Sequence, residues 1–228
     1  MNSIINLFIP NRCEICGRII GFLKHCPECI KVEEKIDLGI NYPLDIKNRK
    51  LHYVDKMFAC YKNKYGAKKG IYRLKFQKQY GLIKLYAKQM AKIIVELNED
   101  FDYIIPIPMT KRKNKKRGIN VPLELSKEIS KLTKIPIKTD VIIKKYETKA
   151  QHEIKLKFRK NNLLGSMQIL NKNDIMGKSV LLIDDLITTG QTIESCSRLL
   201  KVYYVKKITA ISFTAVEFKS NKEIQNEQ

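Results

Sequence analysis

Residues 180–192 read Val-Leu-Leu-Ile-Asp-Asp-Leu-Ile-Thr-Thr-Gly-Gln-Thr, an apolar strand that runs into two adjacent acids and then a hydroxyl-rich loop around one glycine. Val180 to Ile183 is the continuous apolar run of a strand buried in a parallel sheet, and Ile193 to Val205 has the length and apolar spacing of the helix that follows. The loop between them lies where α/β folds bind ligands. A helix N-terminus offers unpaired N–H groups and the positive end of a dipole. Gly190 lets the backbone come close, and Thr188, Thr189 and Thr192, with Gln191 among them, add donors that together can surround a phosphate dianion. Asp184 and Asp185 would repel that anion if they pointed at it, so ribose hydroxyls, or a Mg²⁺ that they hold, are their natural partners. The plain alternative is a strand that ends in an ordinary turn with an Asp cap, but a cap needs one acid and one hydroxyl, not this series.

The second strong motif is at the other end. Cys13-X2-Cys16 and Cys26-X2-Cys29 are separated by nine residues, and two such knuckles can close a tetrahedral four-cysteine zinc site. A segment of this size has no core of its own, so metal binding would supply its folding free energy. A closed shell leaves no position for substrate, which makes the role structural. Disulfides are the alternative. Met1 to Pro10 lacks the charged start of a secretory signal, so a cytoplasmic location is expected, where thiols stay reduced. No apolar run is long enough to span a bilayer, so no membrane insertion is expected. Cys60 and Cys196 lie outside the pattern and read as packing residues.

Net charge is the other outlier, at +21, and the cations are clustered. Lys111 to Arg117 has six in seven residues, Lys62 to Lys78 has seven with no acid, and Lys144 to Lys160 has seven against two acids. Such patches are the electrostatic footprint of a polyanion binder, and the candidate DNA-binding cations are Lys68, Lys69, Arg73, Lys75, Lys113, Lys115 and Lys116. The alternative is a merely solvated lysine-rich surface. Tyr61, Tyr65, Tyr72, Phe76 and Tyr80 interleave the first patch and can stack on unpaired bases, or else pack in a core as part of a short amphipathic helix.

Between these motifs strands and helices alternate. Leu82 to Leu97 repeats apolar residues at helical spacing, Tyr103 to Pro108 is a strand leaving the sheet at its prolines, and a basic loop follows at Lys111–Arg117. Lys111, Arg112 and Arg117 there suit a pyrophosphate leaving group. Val121 to Leu132 reads as a helix, while Val141–Ile143, Met167–Leu170 and Ile208–Phe213 read as strands. Ser220 to Gln228 reads as a mobile tail. We expect a zinc-binding module at 1–49, an α/β domain at 50–219 with a mainly parallel sheet flanked by helices, and a tail at 220–228.

The stretch from Val180 to Thr192 resembles the 5-phosphoribosyl-1-pyrophosphate (PRPP) signature of type I phosphoribosyltransferases, with no departure at a key position. That resemblance implies that Asp184 and Asp185 hold the ribose 2′- and 3′-hydroxyls, that Thr188 to Thr192 hold the 5-phosphate, and that Mg²⁺ accompanies PRPP. The cysteine knuckles, Arg-Leu-Lys-Phe at Arg73 to Phe76, Pro-Ile-Pro before Arg117-Gly118-Ile119-Asn120, Thr148-Lys149-Ala150-Gln151, Arg159 with Asn162, and the phosphoribosyl loop follow the order of the ComF competence-protein family. The likeness covers nearly the whole chain. It departs at Ile119 and Val121, where the family has Phe and Gln of Gly-Phe-Asn-Gln; any ligand interaction made by that glutamine is missing here. The resemblance implies a type I phosphoribosyltransferase-like fold behind a structural zinc module. It also implies a part in natural transformation, handling imported single-stranded DNA in the cytoplasm with other competence proteins such as the DNA-import helicase. The other reading is an active phosphoribosyltransferase that uses PRPP or a related phosphorylated sugar, has an acceptor the sequence does not name, and does not bind DNA directly.

Overall fold

The central strands of this protein are buried on both faces, and the sheet is covered on both. In the computed structural model, which describes residues 11–21, 25–29, 42–44, 46–144 and 167–217, the chain runs in the following order. It begins β1 (Tyr42–Pro43), β2 (Lys56–Lys62), α1 (Tyr65–Phe76), α2 (Leu82–Glu96), β3 (Tyr103–Pro106), α3 (Lys111–Arg117) and α4 (Val121–Thr133). It continues β4 (Ile142–Lys144), β5 (Met167–Ile169), β6 (Ser179–Ile187), α5 (Gln191–Val202) and β7 (Lys207–Ala215). The main sheet has the order β1-β2-β7-β6-β3. β2, β7, β6 and β3 are parallel and β1 is an antiparallel edge. β4 and β5 form a separate antiparallel pair. This is the α/β fold with a mainly parallel sheet that the alternating pattern predicts.

The strands divide their side chains between two cores. Ile104, Leu181, Ile183, Ile211 and Phe213 face one cluster, built with α1, α2 and α4. Ile105, Val180, Leu182, Ile208 and Ala210 face the other, built with α5, β4 and β5. The cysteine segment belongs to the first: Cys13, Ile15, Cys16, Cys26 and Cys29 are buried in it beside Ala67, Ile71, Leu82 and Tyr86. Tyr86 stacks on Phe213, with ring centroids 3.5 Å apart, and its hydroxyl donates to the Ile15 carbonyl at 3.1 Å. Gly70 is required here, since a methyl group on it would meet the Tyr86 hydroxyl and the Ile15 carbonyl oxygen.

Several elements differ from the sequence expectation, each for a local reason. β2 is absent from the sequence reading because its apolar centre is short and lysines close both ends. β6 does not stop at Ile183 but carries both acids and ends at Ile187, because pairing with β7 continues to Ala215. α5 starts at Gln191, where Gly190 turns at φ +85, and ends at Val202, before Tyr204 at φ +58. Lys111–Arg117 is a short helix, not a loop; nothing in Lys-Arg-Lys-Asn-Lys-Lys-Arg breaks a helix, and Gly118 at φ +71 ends it. The Thr148 to Gln151 box, Arg159, Asn162, nearly all of the Lys144–Lys160 patch and the tail from Ser220 lie outside the described residues.

Candidate sugar-phosphate site and its surroundings

The acids and the hydroxyl loop meet at the C-terminal end of β6. Thr188 and Thr189 are exposed, Gln191 and Thr192 half-buried, and Gly190 buried. Gly190 has two reasons to be glycine: its backbone is left-handed, and a Cβ there would lie 2.7 Å from Leu51 Cδ1. Thr189 Oγ1 accepts from the Gln191 N–H at 3.3 Å, and the Glu194 N–H bonds the Gly190 carbonyl at 2.9 Å as α5 begins.

A strap before β2 holds this loop. The buried Arg49 guanidinium donates to the carbonyls of both Thr188 and Val216. Two residues on, Leu51 covers Gly190, and the N–H groups of His52 and Tyr53 donate to the Glu194 carboxylate at 2.7 and 3.1 Å. Engaging the Thr188 carbonyl fixes the peptide plane at the head of the loop. Arg49, Leu51 and Glu194 escape a sequence reading because no period or motif marks them; their roles come from the crossing of a distant segment.

Asp184 is half-buried and Asp185 buried. Asp184 Oδ1 accepts from the Asp185 N–H at 2.8 Å. Burial, then the neighbouring Asp185, push the Asp184 carboxyl well above the usual carboxylate range. Lys75 reaches the pair from the last turn of α1, its Nζ 2.5 Å from Asp185 Oδ2.

β3 lies beside β6 in parallel register, Pro106 against Ile183, and the Ile107 N–H continues the ladder to the Ile183 carbonyl at 2.9 Å. The chain therefore leaves β3 at the same sheet edge as the hydroxyl loop and enters α3. On α3, Arg112 and Lys115 are exposed and Arg117 half-buried, with its guanidinium 3.9 Å from Met109 Sδ; the side chains of Lys111, Lys113 and Lys116 lie outside the described residues.

The cations of α1 divide by face. Lys68 and Lys69 are exposed, Lys69 within 3.5 Å of Glu28. Arg73 turns to the cysteine segment, donating to the Cys16 carbonyl at 2.9 Å, and Lys75 turns inward. Tyr65, Tyr72 and Phe76 are more than half exposed, and the last two form a tilted pair at 5.1 Å, while Ile71 and Leu74 fill the core. Lys84, Lys88 and Lys92, four residues apart, line the exposed ridge of α2.

The four knuckle cysteines are buried, with their Sγ atoms all within 4.8 Å of one another. Four thiols this close can hold a metal ion, and the all-sulfur set suits zinc. Cys13 is held well below the usual thiol range by its Cys16 and Cys29 neighbours, which rise in turn. Cys60 and Cys196 are buried apart from this group, and burial pushes the Cys196 thiol up to about 12. No helix among the described residues is long and apolar enough to cross a membrane.

Residues 77–223 match the phosphoribosyl transferase domain model. Competence protein F of Haemophilus influenzae is 26% identical over 86% of this chain and 81% of its own. Competence protein ComFC of Bacillus subtilis is 24% identical over 90% and 77%. DNA utilization protein YhgH of Escherichia coli K12 is 25% identical over 43% of each chain. Purine phosphoribosyltransferase from Pyrococcus horikoshii Ot3 aligns structurally over 60% of this chain and 85% of its own, at 18% identity and a TM-score of 0.40. With a domain model that spans more than half of its length, the chain belongs to the phosphoribosyl transferase domain family, in company with the ComF competence proteins.

Proposed function

We propose that this protein acts in natural transformation as a cytoplasmic handler of imported single-stranded DNA, with a PRPP-binding site at the end of β6. The observation that carries the reading is the junction of β6 and α5. There an acid pair and a hydroxyl loop, braced by Arg49, share one strand end. Its relatives' names, competence and DNA utilization proteins, support the setting.

In this reading the loop from Thr188 to Thr192 takes the 5-phosphate on its N–H and hydroxyl donors. Asp184 and Asp185 accept from ribose hydroxyls, and the basic helix α3 faces the diphosphate, which arrives with its Mg²⁺. Binding and orientation need no protein nucleophile. If transfer occurs, these residues position the anomeric carbon and stabilise the departing charge. The cysteine group holds one structural zinc, and the exposed face of α1 with Lys115 and the α2 ridge takes the single strand, lysines on phosphates and Tyr72 with Phe76 on bases.

Three outcomes follow. Elemental analysis of the purified protein will find one zinc per chain; stripping it with a chelator will lower the melting temperature, and Cys13→Ser with Cys26→Ser will do the same without chelator. A metal-free preparation that melts unchanged contradicts the assignment.

Calorimetry will separate the two halves of the sugar site. Asp184→Ala removes a hydroxyl acceptor without stranding Lys75, so it should cost about 1–3 kcal/mol of PRPP affinity and spare inorganic phosphate. Thr189→Val should weaken both ligands. Equal PRPP binding by wild type and Asp184→Ala would make the motif part of the fold alone.

Binding to a labelled single strand should fall steeply with salt. Replacing Lys68, Lys69 and Lys115 by alanine should flatten the log–log slope by about 0.7 for each phosphate that is no longer neutralised. Tyr72→Ala with Phe76→Ala should weaken binding and leave the slope unchanged. Salt-independent binding would remove DNA from the account.

A further inference from the structure

Lys75 does not stand on the surface with its neighbours on α1. It is 2.5 Å from Asp185 Oδ2, and the two side chains are only 10% and 6% exposed. The helix cannot easily withdraw it: Ile71 and Leu74 are sunk in the core, and Arg73 ties the same turn to the Cys16 carbonyl. The ammonium is thus a fixed neighbour of the acid pair.

A built-in cation changes what an acid pair accepts. Two adjacent carboxylates with no counter-charge attract a divalent ion, because Mg²⁺ and its relatives prefer anionic oxygens. With an ammonium already pressed against one of them, an incoming ion must crowd it or drive it out of a buried pair, and a buried charge left without its partner is strongly unfavourable. Ribose hydroxyls meet neither obstacle. They are neutral donors, and they can bond a carboxylate that remains paired with Lys75.

We propose that Lys75 determines the specificity of the acid pair: it makes Asp184 and Asp185 a site for vicinal sugar hydroxyls and keeps divalent cations off the carboxylates. The sugar half rests on the sugar-phosphate reading above; the cation half rests on the ion pair alone. Mg²⁺ that travels with a diphosphate is held elsewhere, by that diphosphate.

The test uses the full chain, with Mn²⁺ alone and ribose 5-phosphate alone as probes, read by electron paramagnetic resonance and calorimetry. Wild type should take up no Mn²⁺ in the absence of sugar, and should bind ribose 5-phosphate equally without added divalent cation or with Mg²⁺. Lys75→Met should gain one Mn²⁺ site per chain and lose about tenfold in ribose 5-phosphate affinity without added divalent cation, recovering when Mg²⁺ is added. Lys75→Arg should behave as wild type, and adding Asp185→Asn to Lys75→Met should abolish the new Mn²⁺ site. A purely structural role predicts loss of sugar binding with no metal gained, and that result overturns the proposal. So does Mn²⁺ uptake by wild type that Asp184→Ala removes, a measurement that needs no Lys75 variant to fold. If wild type takes up no ribose 5-phosphate, the sugar-phosphate reading fails, while Mn²⁺ uptake still decides what Lys75 does.

Discussion

Helix α1 can occupy one place only, because three of its faces are committed. Its glycine face lies on the cysteine segment, where a methyl group at Gly66 would collide with Cys29 Sγ. Ile71 and Leu74 enter the core, and Lys75 forms the buried pair with Asp185. Removing one partner of such a pair typically costs about 3–5 kcal/mol, since it leaves a charge buried alone. The cysteine module, the first core and the acids of β6 are therefore joined through twelve residues of helix. A change at the knuckles has a short physical route to the acid pair at the end of β6, and it passes through Arg73 and Lys75.

The excess of positive charge is organised around the same helix. No acid occurs from residue 56 to residue 95, a stretch that covers β2, α1 and most of α2. Its counter-charges come from elsewhere in the chain: Glu99 for Lys56, Glu217 for Lys62 and Lys64, Glu28 for Lys69 and Asp185 for Lys75. These cations tie down chain that arrives from afar, whereas Lys68 and the ridge of Lys84, Lys88 and Lys92 stay at the surface. Count alone therefore overstates the surface that can face a polyanion.

The α/β alternation was legible because strands buried on both faces leave continuous apolar runs, as in Val180–Ile183, and because α2 repeats its apolar residues at helical spacing. The hydroxyl loop was legible because its donors are contiguous. What stayed hidden depends on segments crossing in space. Arg49 looks like any basic residue until the backbone brings it beneath Thr188, more than a hundred residues on. Lys75 sits in a lysine-rich run whose composition cannot tell an outward cation from one turned to a buried acid. Tyr72 and Phe76 were ambiguous for the same reason, since only the packing of Ile71 and Leu74 fixes which side of α1 faces out.

The joint made by α1 is tested most directly by amide hydrogen exchange on the full chain, zinc-loaded and chelator-stripped. Removing the metal should raise exchange across Tyr65–Phe76 and, with it, across residues 184–192, while β3 and α4 keep their protection. Residues 184–192 exchanging at the same rate in both states, with α1 either protected or freed, would show that the cysteine module and the loop at the end of β6 are separate structures that share only a chain.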